Sequence, residues 1–308
     1  MTNDKPPLWR DSRFLRIVGQ FISIVLAVVV VTILWGNLSR NLQQLGIQFG
    51  FGFLQQQASF DIGETLVTYK PTDTYSRALW VGLINSLRVA VAGIFLTTIV
   101  GVTVGISRLS DNWLVRNIAQ VYVEIFRNTP LLLQLLFWYF AVFLGFPKAD
   151  NKTSLWGLVY FSQNGVELPW VTLSSEFSAL LLGLTFYTAA FIAEIVRGGI
   201  QSVAKGQWEA ARSLGLKPGL VMRLVILPQA LRVIIPPLTS QYLNLMKNSS
   251  LAIAIGYPDV YFVASTTFNQ TGRAVEVMLL IMLTYLVLSL TISIVMNLFN
   301  RAVQIQER

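Results

Sequence analysis

Residues 17–35 carry no charge, and Ile24-Val-Leu-Ala-Val-Val-Val-Val31 within them is apolar without interruption. Runs of this kind recur. A hydrocarbon core of about 30 Å takes roughly 20 apolar residues per helix. Stretches of that order fall at 17–35, 80–106, 119–144, 177–196, 238–263 and 275–299. Composition agrees: of 308 residues, 54% are hydrophobic and only 12% charged, with a mean hydropathy of +0.59. Ordinary globular proteins carry about 25% charged residues. So few charges cannot cover the two soluble domains that the length alone would allow. The expected class is an all-α integral membrane protein with six transmembrane helices.

The absences narrow the chemistry. With no Cys and no His, the chain lacks disulfides, thiol nucleophiles, imidazole bases and ordinary zinc sites. No Gly-Lys-Ser/Thr tripeptide exists to cradle ATP phosphates. The net charge of +8 is placed in loops of a membrane protein and implies no nucleic-acid partner.

Orientation follows from Lys and Arg. With the N-terminus inside, inner segments hold 14 of the 23 basic residues and outer segments six, which predicts both termini in the cytoplasm. The expected organisation is a cytoplasmic N-terminus (1–16), an anchor helix (17–35), an outer segment (36–77), a membrane domain (78–300) and a cytoplasmic C-terminus (301–308). A signal peptide is the alternative for the first span, but no small-x-small site precedes Asn37, and the segment is read as retained. Outer connections 36–77 and 146–176 read as polar or aromatic-glycine loops.

The long inner connection, 197–236, is the most informative. It reads Gly206-Gln-Trp-Glu-Ala-Ala-Arg-Ser-Leu-Gly-Leu-Lys-Pro-Gly219 and continues to Val225-Ile-Leu-Pro-Gln-Ala-Leu-Arg232. Good helix formers, then Gly215 at a C′ position, then Pro218 in a new first turn predict helix, turn, helix. On pattern alone this is either a docking knob or an amphipathic loop resting on headgroups.

The residues themselves resemble the EAA loop of ATP-binding cassette importer permeases. Glu209-Ala-Ala, three residues, Gly215, nine residues and Val225-x-Leu-Pro228 match it, with Val225 for the usual Ile. Ala189-Ala-Phe-Ile-Ala-Glu-Ile-Val-Arg-Gly-Gly-Ile-Gln201 is similar to the preceding segment of the polar amino acid permeases, the histidine and glutamine type. Arg127-Asn-Thr-Pro-Leu-Leu-Leu-Gln134 resembles their Arg-Gly-Thr-Pro-Leu-Leu motif, and Lys247-Asn-Ser-Ser-Leu-Ala252 their Lys-x-Thr-Ser-Leu motif. Asn128 and Ser249 depart from those patterns. The likeness spans about residues 78–300, and Phe51-Gly-Phe-Leu54 with Phe60-Asp-Ile62 further resembles the broad-specificity L-amino acid type.

The resemblance implies a type I importer fold of five core helices plus one N-terminal anchor, in a bacterial plasma (inner) membrane. It implies a second, related permease as partner, two copies of a cytoplasmic ATPase that bind ATP and Mg, and a periplasmic amino acid-binding protein, with membrane lipid around them. No cofactor and no catalytic or metal-binding residue is then expected on this chain. Glu209, Ala210, Ala211, Leu214, Gly215 and Pro228 would couple it to the ATPase.

Ionisable side chains within spans are costly and point to function. Lys247 lies ten residues past Pro237, about 15 Å into the membrane. It either meets a substrate carboxylate or pairs with Glu124 or Glu194. Asn244, Asn248 and Ser249 break the apolar run around it; Glu124 for a substrate ammonium, with Asn128 and Gln134, complete the candidates for a substrate path, and Tyr187 is a weaker one. Arg88 is expected to snorkel outward. Glu124 with Arg127, and Glu194 with Arg197, are i, i+3 pairs, the second a brace for the inner loop. Gly101-x-x-x-Gly105 would allow close helix approach. An ion-coupled secondary transporter is the competing reading, and a membrane enzyme a third, opposed by the missing His, Cys and acidic pairs.

Overall fold

The computed structural model describes residues 12–44, 46, 49–155 and 157–303. The basic residues Lys5, Arg10 and Arg308, and most of both expected terminal segments, lie outside them. The chain divides into two units, one ending at Gly52 and the other running from Phe53.

The first unit is helix α1 (Ser12–Gln44). It is longer than the expected 17–35, and none of its charge-free stretch is buried. A helix apolar all round and exposed all round suits lipid. Trp35 packs edge-on against Phe49 at 5.6 Å.

The second unit is built on α2 (Tyr75–Ser107) and α5 (Ser175–Gln201). Thr74 caps α2 by accepting from Arg77 N, and Ser174 caps α5 by accepting from Phe177 N. The two helices meet through the predicted glycine pair. A Cβ on Gly101 would lie 2.6 Å from Ile192 Cβ, and one on Gly105 would lie 2.8 Å from the Ala193 carbonyl. Only hydrogen fits there. Three apolar clusters, centred on Ile192 and Ile226, on Leu135 and Leu180, and on Ala58 and Val81, hold the remaining elements to this pair.

The expected third span is broken. Helix α3 (Trp113–Asn128), capped by Asn112, stops before Thr129-Pro130, and α4 (Leu131–Leu136) resumes and ends in a π-helical turn (Phe137–Phe143). The axes differ by 106°. Pro130 supplies no N–H and drives Thr129 into extended geometry, φ −109° and ψ 136°. The Gln134 side-chain amide answers the freed carbonyls, donating to Phe126 O at 3.0 Å and Thr129 O at 3.1 Å.

The connection read as a loop between α4 and α5 is a four-stranded antiparallel meander. Its strands are β1 (Thr153–Leu155), β2 (Val159–Ser162), β3 (Gly165–Leu168) and β4 (Val171–Ser174). Phe161, Val166 and Leu173 are in register on one face, and Val166 and Leu173 pack onto the helical core.

Beyond α5, α6 (Lys205–Ser213) precedes α7 (Pro218–Val221), a π turn (Met222–Ile226), α8 (Leu227–Asn248) and a 3-10 segment (Ser249–Ile255). Pro218 to Ile255 is thus one helical rod of 38 residues. This corrects the expected fifth span: it starts far earlier than Leu238 and ends at Gly256, whose φ of 77° turns the chain. Residues assigned to its end belong to a separate helix, α9 (Val260–Thr271), capped by Asp259, before α10 (Ala274–Val303). Among the described residues, five helices are long and apolar enough to cross a membrane, and the bent α3–α4 pair makes a sixth if it counts as one span.

Candidate functional site

The helix-turn-helix after α5 has two faces. Ala211 is buried against Val221 and Ile226 in the core that also takes Ile200 and Val203. Glu209, Ala210 and Gly215 are exposed, Leu214 is 81% exposed, and Pro228 is half-buried. Gly215 holds φ at 75°, and Leu216 N returns to Ala211 O at 3.3 Å, the closing bond of a glycine-terminated helix. Leu220 and Leu224 are exposed beside the turn, at 44% and 60%. An outer face with that much free leucine is built to be covered.

About two turns before the end of α5, Glu194 collects three guanidiniums. Arg108, the C-cap of α2, bonds Oε1; Arg197 Nε donates to Oε2 at 2.9 Å; Arg127 Nη1 approaches Oε1 at 3.6 Å. Burial first, and the neighbouring Arg197 next, push the Arg108 guanidinium below its ordinary pKa. Arg127 also lies over the Phe191 ring, 5.2 Å from its centroid. The expected Glu124–Arg127 pair does not form: Arg127 turns to Glu194, and Glu124 accepts from Gln120 Nε2 at 2.9 Å. Glu194–Arg197 does form, inside a larger knot than the i, i+3 spacing indicated.

Two exposed polar stripes run along helices. On α3, Arg116, Gln120, Glu124 and Asn128 repeat every four residues, all exposed, while Ala119 and Val123 are buried. On α8, Ser240, Asn244 and Lys247 are exposed, with Asn248 half-buried, opposite the buried Ile234, Ile235, Tyr242, Leu245 and Met246. Lys247 makes no ion pair with Glu124 or Glu194 among the described residues, which removes the brace reading for it. Two candidates are placed in packing instead. Ser249 is fully buried with its hydroxyl on Met246 O, and Gln134 is buried with its amide nitrogen turned to the α3–α4 break. Tyr187 is half-buried beside Phe191.

Midway along α2, Arg88 does not snorkel. It is 15% exposed, bonds Glu64, and stacks on Phe177 at 3.9 Å. Glu64 also accepts from Ser174 Oγ, and Asn85 Nδ2 donates to Glu64 O at 2.8 Å and Pro258 O at 2.9 Å. This knot ties the segment before α2 to α5 and to the turn before α9. Asn85, Ser86 and Arg88 were visible as polar residues inside a span, but Glu64, 24 residues away, had no local signal.

A bundle of spanning helices, one of them broken at a proline, with an exposed helix-turn-helix at one end and polar stripes along two helices, defines a polytopic membrane permease core. Residues 93–305 match the binding-protein-dependent transport system inner membrane component family, and the chain belongs to it. It is 39% identical to the general L-amino acid transport system permease protein AapQ of Rhizobium johnstonii, over 97% of this chain and 94% of that protein. It is 32% identical to the glutamate/aspartate import permease protein GltJ of Escherichia coli, over 85% of this chain and 97% of that protein. A crystal structure of an amino acid ABC transporter with histidines contains a similar chain, 31% identical with a TM-score of 0.59, covering 74% of this chain and 95% of that one.

Proposed function

We propose that this chain is a permease subunit of an ATP-driven amino acid importer in a bacterial plasma membrane. The observation that carries the reading is the pair of exposed polar stripes on α3 and α8. Charged and amide groups on a spanning helix face protein or water rather than lipid. A second, related permease would cover part of this surface and enclose the rest as a water-lined path. Within it Lys247 would meet the substrate carboxylate and Glu124 its ammonium, with Asn244, Asn248 and Asn128 supplying hydrogen bonds. The names carried by the relatives support amino acids as the cargo.

In this reading the α6–α7 knob seats in the cytoplasmic ATPase. Leu214, Glu209 and Ala210 face the groove, Ala211 anchors the knob to its own core, and Gly215 shapes the turn. ATP and Mg stay on the two ATPase copies, so this chain is a non-catalytic subunit. Both termini lie in the cytoplasm, and a periplasmic binding protein delivers substrate to the far side. The test is purification from native membranes followed by reconstitution of the recovered complex into vesicles. Amino acid uptake should require ATP on the knob side. Uptake driven by an ion gradient with no ATPase present would overturn the reading.

A further inference from the structure

Helix α5 runs unbroken to Gln201, and only residues 202–204 separate it from α6. That link is stiff. Ser202 N bonds Gly198 O at 2.9 Å, Ser202 Oγ bonds Gly199 O at 2.7 Å, and Val203 is buried in the cluster that holds Ala211. A displacement of the α6 knob is therefore delivered to the end of α5. Helix α2 moves with α5, because Gly101 and Gly105 leave no gap between them.

Helix α3 is held differently. It ends at the 106° break, where the helical bonding stops and the Gln134 side chain on Phe126 O and Thr129 bridges to the helix that follows. Tyr122 OH donates to Phe186 O at 2.8 Å midway along it, and near its end the polar tie to α5 is Arg127 on Glu194. The members of that knot are unequal. Arg108 is 14% exposed and bonded closely, while Arg127 is 41% exposed and stands at 3.6 Å. A long, exposed ion pair is weak and exchanges readily. Glu194 lies seven residues before the end of α5, about 10 Å from the knob link at 1.5 Å per residue. Arg127 lies three residues before Pro130.

We infer that Glu194 and Arg127 are positioning residues that form the joint by which movement of the knob reaches the broken α3–α4 span. Arg108 and Arg197 hold Glu194 in place, and the Arg127 contact is the part that makes and breaks. The inference rests on the coupling reading above and deepens it.

The test uses the assembled transporter in vesicles, with uptake and ATP hydrolysis measured on the same preparation. Arg127→Ala should keep hydrolysis while uptake per ATP falls about tenfold, the scale of a typical coupling energy. Arg127→Lys should restore most of the ratio, because a point charge suffices at 3.6 Å. An unchanged ratio in Arg127→Ala overturns the joint. So does failure of both variants to assemble, since the contact would then be a structural brace. If the unaltered transporter takes up substrate without ATP, the coupling reading itself falls and takes the joint with it. That failure is seen in the parent protein, whereas failure of the joint alone is seen only in the variants.

Discussion

The Gln134 amide donates to the Thr129 hydroxyl at 2.7 Å, across the proline that separates two halves of one span. One side chain thus takes up three acceptors, two of them carbonyls that the break leaves without helical partners. Gln134→Leu keeps the bulk and strands those groups. An unsatisfied carbonyl costs about 1–3 kcal/mol when buried; these are part-buried, and the variant should lose thermal stability in detergent by up to that order. An unchanged unfolding temperature would show that the break is held by packing alone.

The α2–α5 seam should not tolerate side chains. Gly101→Leu would push into Ile192 and the Ala189 carbonyl, at a cost of about 1–3 kcal/mol or more for overpacking. Gly198→Ala, on α5 but with open space around it, serves as the comparison and should be neutral or slightly stabilising. Equal melting shifts for the two would remove the seam from the account of stability.

Gly215→Asp places a branched charge at a φ of 75°, on the exposed face of the knob. The permease should still insert and fold, because the added Cβ meets no atom within 4 Å and the backbone strain stays in an exposed turn. Uptake should fall to background with association to the ATPase weakened. Normal uptake in the variant would remove Gly215 from the docking surface.

Lys247→Met removes the charge and keeps length and apolarity. Because no carboxylate pairs with Lys247 among the described residues, its deletion strands no buried partner. The complex should therefore assemble at full yield and hydrolyse ATP, yet lose substrate uptake. Loss of the complex itself, measured by size-exclusion yield, would contradict both the exposure of Lys247 and its place in the path.

Glu64→Ala leaves the half-buried Arg88 and the Ser174 hydroxyl without their acceptor. The segment from Phe53 to Thr74 is otherwise held by apolar packing of Phe53, Ala58 and Ile62 and by backbone bonds such as Ala58 N to Asp73 O at 2.8 Å. Limited proteolysis should cut this segment in the variant well before it cuts the parent. Identical digestion time courses would mean that the apolar packing and backbone contacts suffice.

The helices were legible because each span is a long apolar run, and the knob because glycine and proline punctuate it at Gly215 and Pro218. The i, i+3 spacing announced Glu194–Arg197, but not that Arg108, 86 residues earlier, shares the same carboxylate. Partners that far apart are chosen by helix packing, which leaves no periodic trace. Short strands are hard for the same reason in reverse: three or four residues each, at Thr153–Leu155 and Val159–Ser162, carry too little alternation to stand out from a polar loop. Pro130 was visible as a bend, yet its angle and the closing role of Gln134 depend on three-dimensional geometry. Lys247 and Glu124 have opposite charges and comparable depth, which made a pair plausible on paper; their helices present them on separate exposed stripes.

The meander between α4 and α5 has a consequence for the order in which the chain is assembled. Its strands pair strictly with their neighbours in sequence, β1 to β2 to β3 to β4. Such local pairing closes small loops at low entropic cost and forms fast. The sheet can therefore be complete as soon as Ser174 has emerged during synthesis. The Gly101–Ile192 contact, by contrast, joins residues about ninety positions apart and must wait for most of α5. Each new chain would present a finished sheet before its two central helices have met, and the sheet's packed face would give α5 a surface to settle against.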